Sequence, residues 1–199
     1  MSDILTERLN AILPRITSTE FLSGSGLGNE IAFYIFDYPA EDELRVRSHV
    51  EFLVEKAPQK RPGMRVKHVN LFDVVIDHLK SRNLLDRAIK KQQQEGDESL
   101  LKSLKTVLDA EKIAPAFVQA AQPKESDLVL VSGIGSVWPV LRTHTLLNNL
   151  HAPMGTTPLI IFYPGKYDGQ SLRLFNRVES NNYYRAFRLF PEERHWSPR

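Results

Sequence analysis

No cysteine occurs among the 199 residues, which excludes a disulfide framework, a thiolate nucleophile and any cysteine-ligated zinc or iron–sulfur site. An excess of charge of one sign is missing too. Lys and Arg number 26 against 24 Asp and Glu, a net of +2. A dedicated nucleic-acid binder carries a concentrated basic footprint, so direct DNA binding is expected to be weak or absent. Long hydrophobic runs are also lacking. Ile31–Phe36 and Leu159–Tyr163 fall far short of the roughly 20 apolar residues that span a bilayer. Met1-Ser2-Asp3-Ile4-Leu5 has no basic n-region of a signal peptide. The expected location is therefore the cytoplasm, with no membrane partner.

Catalytic signatures are equally scarce. The histidines His49, His68, His78, His144, His151 and His195 show no HExxH spacing. No serine sits in a Gly-x-Ser-x-Gly elbow. Gly24-x-Gly26-x-Gly28 lacks the Walker lysine and precedes a strand, so a backbone turn is its better account. Asp37, closing the first strand, is a lone carboxylate that suits capping of the next turn better than magnesium. Asp73, Asp77 and His78 read as a solvated helix face, and His144 and His151 as hydrogen-bonded core or edge residues. No catalytic, cofactor-binding or metal-binding residue is assigned, and a non-enzymatic protein is expected.

What is present is the balance of a globular domain: 42% hydrophobic and 25% charged residues. The length suits one domain, residues 1–199. Ile4, Leu9, Ile12 and Leu13 suggest a helix closed near Pro14. Ile31–Tyr38, Asp127–Ser132 and Pro158–Tyr163 are continuous apolar runs of strand length, suited to strands covered on both faces. Arg65–Asn70 alternates and reads as a strand nearer the sheet edge, and Tyr184–Phe190 as a last strand. Pro164-Gly165 is expected to close the third apolar run. Val46, Val50, Leu53, Val54 and Ala57 mark a helix ended by Pro58 and Pro62-Gly63, and Phe72, Val75, Ile76 and Leu79 another. Residues 81–123 read as a helical insertion of two or three helices. The alternation predicts an α/β fold, a mainly parallel sheet of four to five strands flanked by helices.

Two features could meet a ligand or partner. Gly133-Ile134-Gly135 follows a buried strand and precedes a predicted helix carrying Val137, Val140, Leu141, His144, Leu147 and His151. Amides there could hold an anion, although Trp138-Pro139 stands where a dinucleotide fingerprint needs its third glycine. From Ser171 onward six arginines oppose three glutamates with no lysine. Together these support an alternative reading, a nucleotide- or DNA-contacting regulatory subunit. The second feature is the loop chemistry of Tyr163–Gln170 and Asn181–Arg185. Tyr and Arg are enriched at protein interfaces, so Tyr167, Asp168, Tyr183, Tyr184 and Arg185 are the candidate partner-binding residues, expected on surface loops.

Four stretches in order along the chain carry a family likeness. They are Gly26–Glu30 running into Phe33–Tyr38, Gly133–His144 with Leu146–Leu150, Pro158–Gly165 with Tyr167–Gln170, and Asn181–Phe187. In these the chain resembles the BrxB family, a small component of bacterial BREX phage-exclusion systems. Residues 81–123 carry little of the likeness. Such systems combine a site-specific DNA methyltransferase, a large ATPase and a phosphatase-superfamily protein called PglZ. The resemblance implies a non-enzymatic adaptor of a phage-defence complex that needs no cofactor. It bridges larger components, the PglZ-like protein first, then the ATPase or methyltransferase.

Overall fold

The apolar runs become the centre of a parallel sheet in a computed structural model that describes residues 3–23, 32–180 and 186–190. Helix α1 (Ile4–Ile16) is capped by Asp3, whose side chain accepts from the Thr6 N–H, and buries Leu5, Leu9, Ile12 and Ile16. It runs past Pro14 instead of closing there. Burying Ile16 is worth about 1.5–3 kcal/mol, which offsets most of the roughly 3 kcal/mol that proline costs inside a helix. A short helix α2 (Thr19–Ser23) follows. The Gly24–Gly28 turn lies outside the described residues.

Strand β1 (Phe33–Tyr38) leads through a 3₁₀ turn at Ala40–Asp42 into α3 (Glu43–Lys60), which buries Val46, Val50, Leu53 and Ala57. Pro58 falls inside its last turn, and the helix stops at Lys60, just before Pro62-Gly63. Strand β2 (Val66–Asn70) passes directly into α4 (Leu71–Ser81), capped by Asn70. Helix α5 (Leu85–Val107) breaks at Gly96 (φ 81°, ψ 177°) and buries no residue fully, and α6 (Ala110–Ala121) returns to the core. Strand β3 (Leu128–Ser132) is buried throughout. The next helix, α7 (Thr143–Met154), starts later than the apolar stripe suggests. Pro139 is the reason: it offers no N–H and pushes Trp138 toward extended backbone, observed at φ −73°, ψ 139°.

Strand β4 (Leu159–Tyr167) then runs on through Pro164-Gly165, where the composition predicts its end. Past that point it changes partners, pairing antiparallel with β5 (Leu172–Leu174), which pairs with β6 (Val178–Ser180). The two-residue β7 (Phe187–Arg188) adds to β1. The main order is β2-β3-β4-β1-β7, every neighbour parallel, so β2 lies at the edge as its alternation suggests. The molecule is thus α/β with a mainly parallel five-stranded sheet.

Side-chain alternation splits the core in two. Tyr34, Phe36, Leu128, Leu130, Ile160 and Phe162 pack with α1 and α3 on one face. Phe33, Ile35, Val129, Val131, Leu159 and Ile161 pack with α4, α6 and α7 on the other. The chain therefore leaves β1 toward one face but leaves β3 and β4 toward the opposite one. In open α/β sheets the crevice beyond the carboxyl ends of strands, where that direction reverses, is where ligands settle. No described helix is long and apolar enough to cross a membrane.

Candidate functional site

At the carboxyl end of β1, beside β4, the reversal crevice is filled from within. Asp37 stands opposite Tyr163 in the β1–β4 register. Its Oδ1 accepts from Arg8 Nη2 at 2.7 Å and its Oδ2 from the Tyr167 N–H at 3.1 Å. The Arg8 guanidinium also lies 4.7 Å over the Phe36 ring. The expected capping role does not hold, because neither the 3₁₀ turn nor α3 has a side-chain cap. Asp37 instead ties α1 to β4 across the top of the sheet.

Beyond β3 the anion reading loses its ground. Gly133 takes φ +75°, and a Cβ there would fall 2.1 Å from Asn70 Oδ1. That amide oxygen accepts from the Phe72 N–H at 3.0 Å, so the space above the turn holds the α4 cap. Gly133-Ile134-Gly135 runs into a 3₁₀ turn at Gly135–Val137, eight residues before α7 begins beyond it at Thr143. The helix that begins beside Gly133 is α4, and its Phe72 N–H is already taken by Asn70.

The open space at this end lies next door. A cleft of ≈ 80 Å³ is lined by Trp138, Leu141, Arg142, Thr143, His144, Tyr163, Leu172, Leu174 and Val178. Its floor comes from β4 and the β5–β6 hairpin, its wall from α7 and its rim from Trp138. The indole is 43% exposed and meets Phe175 edge-on at 6.3 Å. Phe175 sits in the hairpin turn at φ +53°, a conformation a bulky side chain holds only under firm constraint. Gly135 makes room for the ring, since a Cβ there would lie 2.9 Å from it. Burial, then the Arg142 charge, pushes the His144 pKa below its ordinary value, and burial raises that of Tyr163. The lining therefore has one permanent cation and no carboxylate.

The comparisons with known proteins fall on this same region. Residues 67–189, which include every residue of the cleft, match the family model described as BREX protein BrxB. The chain belongs to the BrxB family. It is 37% identical over 189 residues to BREX protein BrxB of Bacillus cereus (strain H3081.97), covering 93% of this chain and 97% of that protein. It is 40% identical over 189 residues to BREX protein BrxB of Escherichia coli O9:H4 (strain HS), covering 95% and 93%. No solved structure matches it. Membership makes the chain a component of a BREX system and so a protein of phage defence.

In this BrxB chain the residues singled out from the sequence separate. Tyr167 is 0% exposed, against the expectation of a surface loop. Its hydroxyl lies 2.7 Å from the Ala186 carbonyl and 3.0 Å from that of Gly169. Lys166 and Asp168 flank it in exposed positions, and the alternation that buries it is that of a strand continuing past proline. Asp168 is exposed, but its carboxylate is engaged: Oδ1 accepts from the Gln170 and Ser171 amides and Oδ2 from Ser171 Oγ at 2.6 Å. The Ser171 hydroxyl, then the two amides, hold its pKa down at about 2. Tyr183, Tyr184 and Arg185 lie outside the described residues. What sequence reasoning missed is the rim itself, Trp138 and Arg142. The sequence shows only Trp138 directly before Pro139, and its exposure is visible in the fold alone.

The histidines sort by packing. His68 Nε2 meets Ser132 Oγ at 2.8 Å across β2 and β3, and burial lowers the His68 pKa. Ser132 is only 6% exposed and neither residue lines the cleft, so the pair is a cross-strand tie. His151 stacks on Phe33 at 4.6 Å. His78 is buried on α4, not solvated, while Asp77 pairs with Lys80 at 3.3 Å. Among the described residues no three His, Asp or Glu side chains cluster as metal ligands.

Proposed function

We propose that this chain is a non-enzymatic adaptor of its BREX complex, bridging the PglZ-like protein and the ATPase. The observation that carries the reading is the Trp138–Arg142 rim over an apolar cleft, on a member of a multi-component system. Exposed tryptophan and arginine around a small apolar hole are the residue types that anchor protein interfaces. The other well-placed polar groups at the sheet's carboxyl end, Asp37, Asn70 and Ser132, are already bonded within the fold.

A tagged chain co-expressed with the rest of its system should retain the PglZ-like protein, and with it the ATPase, through purification. Recovery of the tagged chain alone from cells making every component overturns the adaptor reading. A nucleotide- or DNA-contacting role has less support, because the space beside Gly133 is occupied by the α4 cap. It predicts binding to DNA or nucleotide that weakens steeply with salt.

A further inference from the structure

We propose that the cleft between α7 and the β5–β6 hairpin is the docking site for a short segment of a partner protein, one apolar side chain flanked by carboxylates. The inference rests on the adaptor reading and gives it a surface and a chemistry.

Size limits the occupant first. A space of ≈ 80 Å³ is well below the roughly 300–1,000 Å³ of pockets that enclose small-molecule ligands, yet it suits a single side chain. The lining is mainly apolar, with Leu141 beside Leu172, Leu174 and Val178 of the hairpin. An apolar anchor there sheds water, and the exposed Trp138 face supplies contact area at low entropic cost.

Charge decides what flanks the anchor. Arg142 is exposed, lines the cleft and makes no ion pair with any described residue. It is also the N-cap position of α7, which has no side-chain cap, so the first amides of a twelve-residue helix add positive potential at the same spot. Arg177, exposed in the hairpin turn, adds a second positive charge beside the lining residue Val178. No carboxylate in the lining opposes it. A nucleic-acid strand fits less well: the lining offers one permanent cation, whereas tracking a phosphate backbone takes a basic groove.

The test places the photo-crosslinker benzoylphenylalanine at position 138 in cells carrying the whole BREX system. Purified Arg142→Glu and Trp138→Ala variants are titrated against the PglZ-like protein and against any other BREX component captured. A glutamate at the start of α7 suits the helix dipole, so Arg142→Glu keeps its melting temperature while lowering affinity at least tenfold. The crosslink maps to a BREX-protein segment with an apolar residue between aspartates or glutamates. A crosslink to DNA, to a second copy or to a segment without carboxylates overturns the proposal. Wild-type affinity in both variants, with position 138 silent, overturns the cleft while leaving the adaptor standing. A wild-type chain that binds no BREX protein overturns both.

Discussion

Tyr167 and Asp168 are adjacent, similar in their polar surroundings, and opposite in what they do. The Tyr167 hydroxyl is buried against two carbonyls, those of Ala186 and Gly169. Tyr167→Phe leaves them without that donor and should cost about 1–3 kcal/mol. Tyr167→Ala also opens a cavity and should cost about 3–5 kcal/mol, by analogy with other aromatic truncations. Urea unfolding measures both, and a Phe variant as stable as wild type would show that the hydroxyl makes no net bond. Gly133 offers a sharper case. Gly133→Ala brings a Cβ against Asn70 Oδ1 at φ +75°, so the melting temperature should drop. The drop should shrink in an Asn70→Gly background, where the obstructing amide is gone; equal drops in both backgrounds would contradict the contact.

At the scale of elements, the β5–β6 hairpin decides whether the cleft has a floor. Asp168 closes the loop that starts it, and the donors on Ser171 and Gln170 hold its pKa at about 2. A carboxyl depressed on folding stabilises the fold above its unfolded value, near 3.9, and that contribution is lost as pH falls through about 2. Asp168→Ala should therefore loosen residues 168–180, seen as faster amide exchange there, with the parallel sheet protected as in wild type. Unchanged exchange in the hairpin would refute the role.

The same hairpin shows where sequence reading stops. Strands β1, β3 and β4 were legible because a strand covered on both faces must be apolar at nearly every position. Pro164 and Gly165 carry the composition of a break, yet β4 passes through them because its partner changes there from parallel to antiparallel. Three-residue strands such as Leu172–Leu174 offer one alternation, buried–exposed–buried, too short to stand out. The delayed start of α7 had a legible cause in Pro139, but an unbroken apolar stripe spoke against it. Tyr167 was misplaced for the same reason as β4, since its surface setting followed from ending the strand too soon.

Across the whole molecule, the histidines give the fold a pH dependence of definite sign. Burial lowers the pKa of His49, His68, His78 and His144, and outweighs the opposing charges of Glu51 and Asp73 at His68. The unfolded chain then binds more protons below about pH 6.5, so stability is complete above that value and is lost as pH falls through the folded pKa values. The melting temperature should fall between pH 7.5 and 5.5, and less so in a His68→Gln variant. A flat or rising profile would contradict the burial of these rings. Family membership was legible at this scale too, because it rests on motifs in order along the chain rather than on one site. The Trp138 rim was not, since it depends on where α7 begins and on a hairpin the sequence concealed.

The adaptor account is tested most directly by reconstitution from purified proteins. The PglZ-like protein and the BREX ATPase are mixed with and without this chain, and their complexes are weighed by size-exclusion chromatography with light scattering. The account predicts that the two large proteins elute as one species only when the chain is present, within that species. Association that is equal without the chain, or absent with it, would contradict the account.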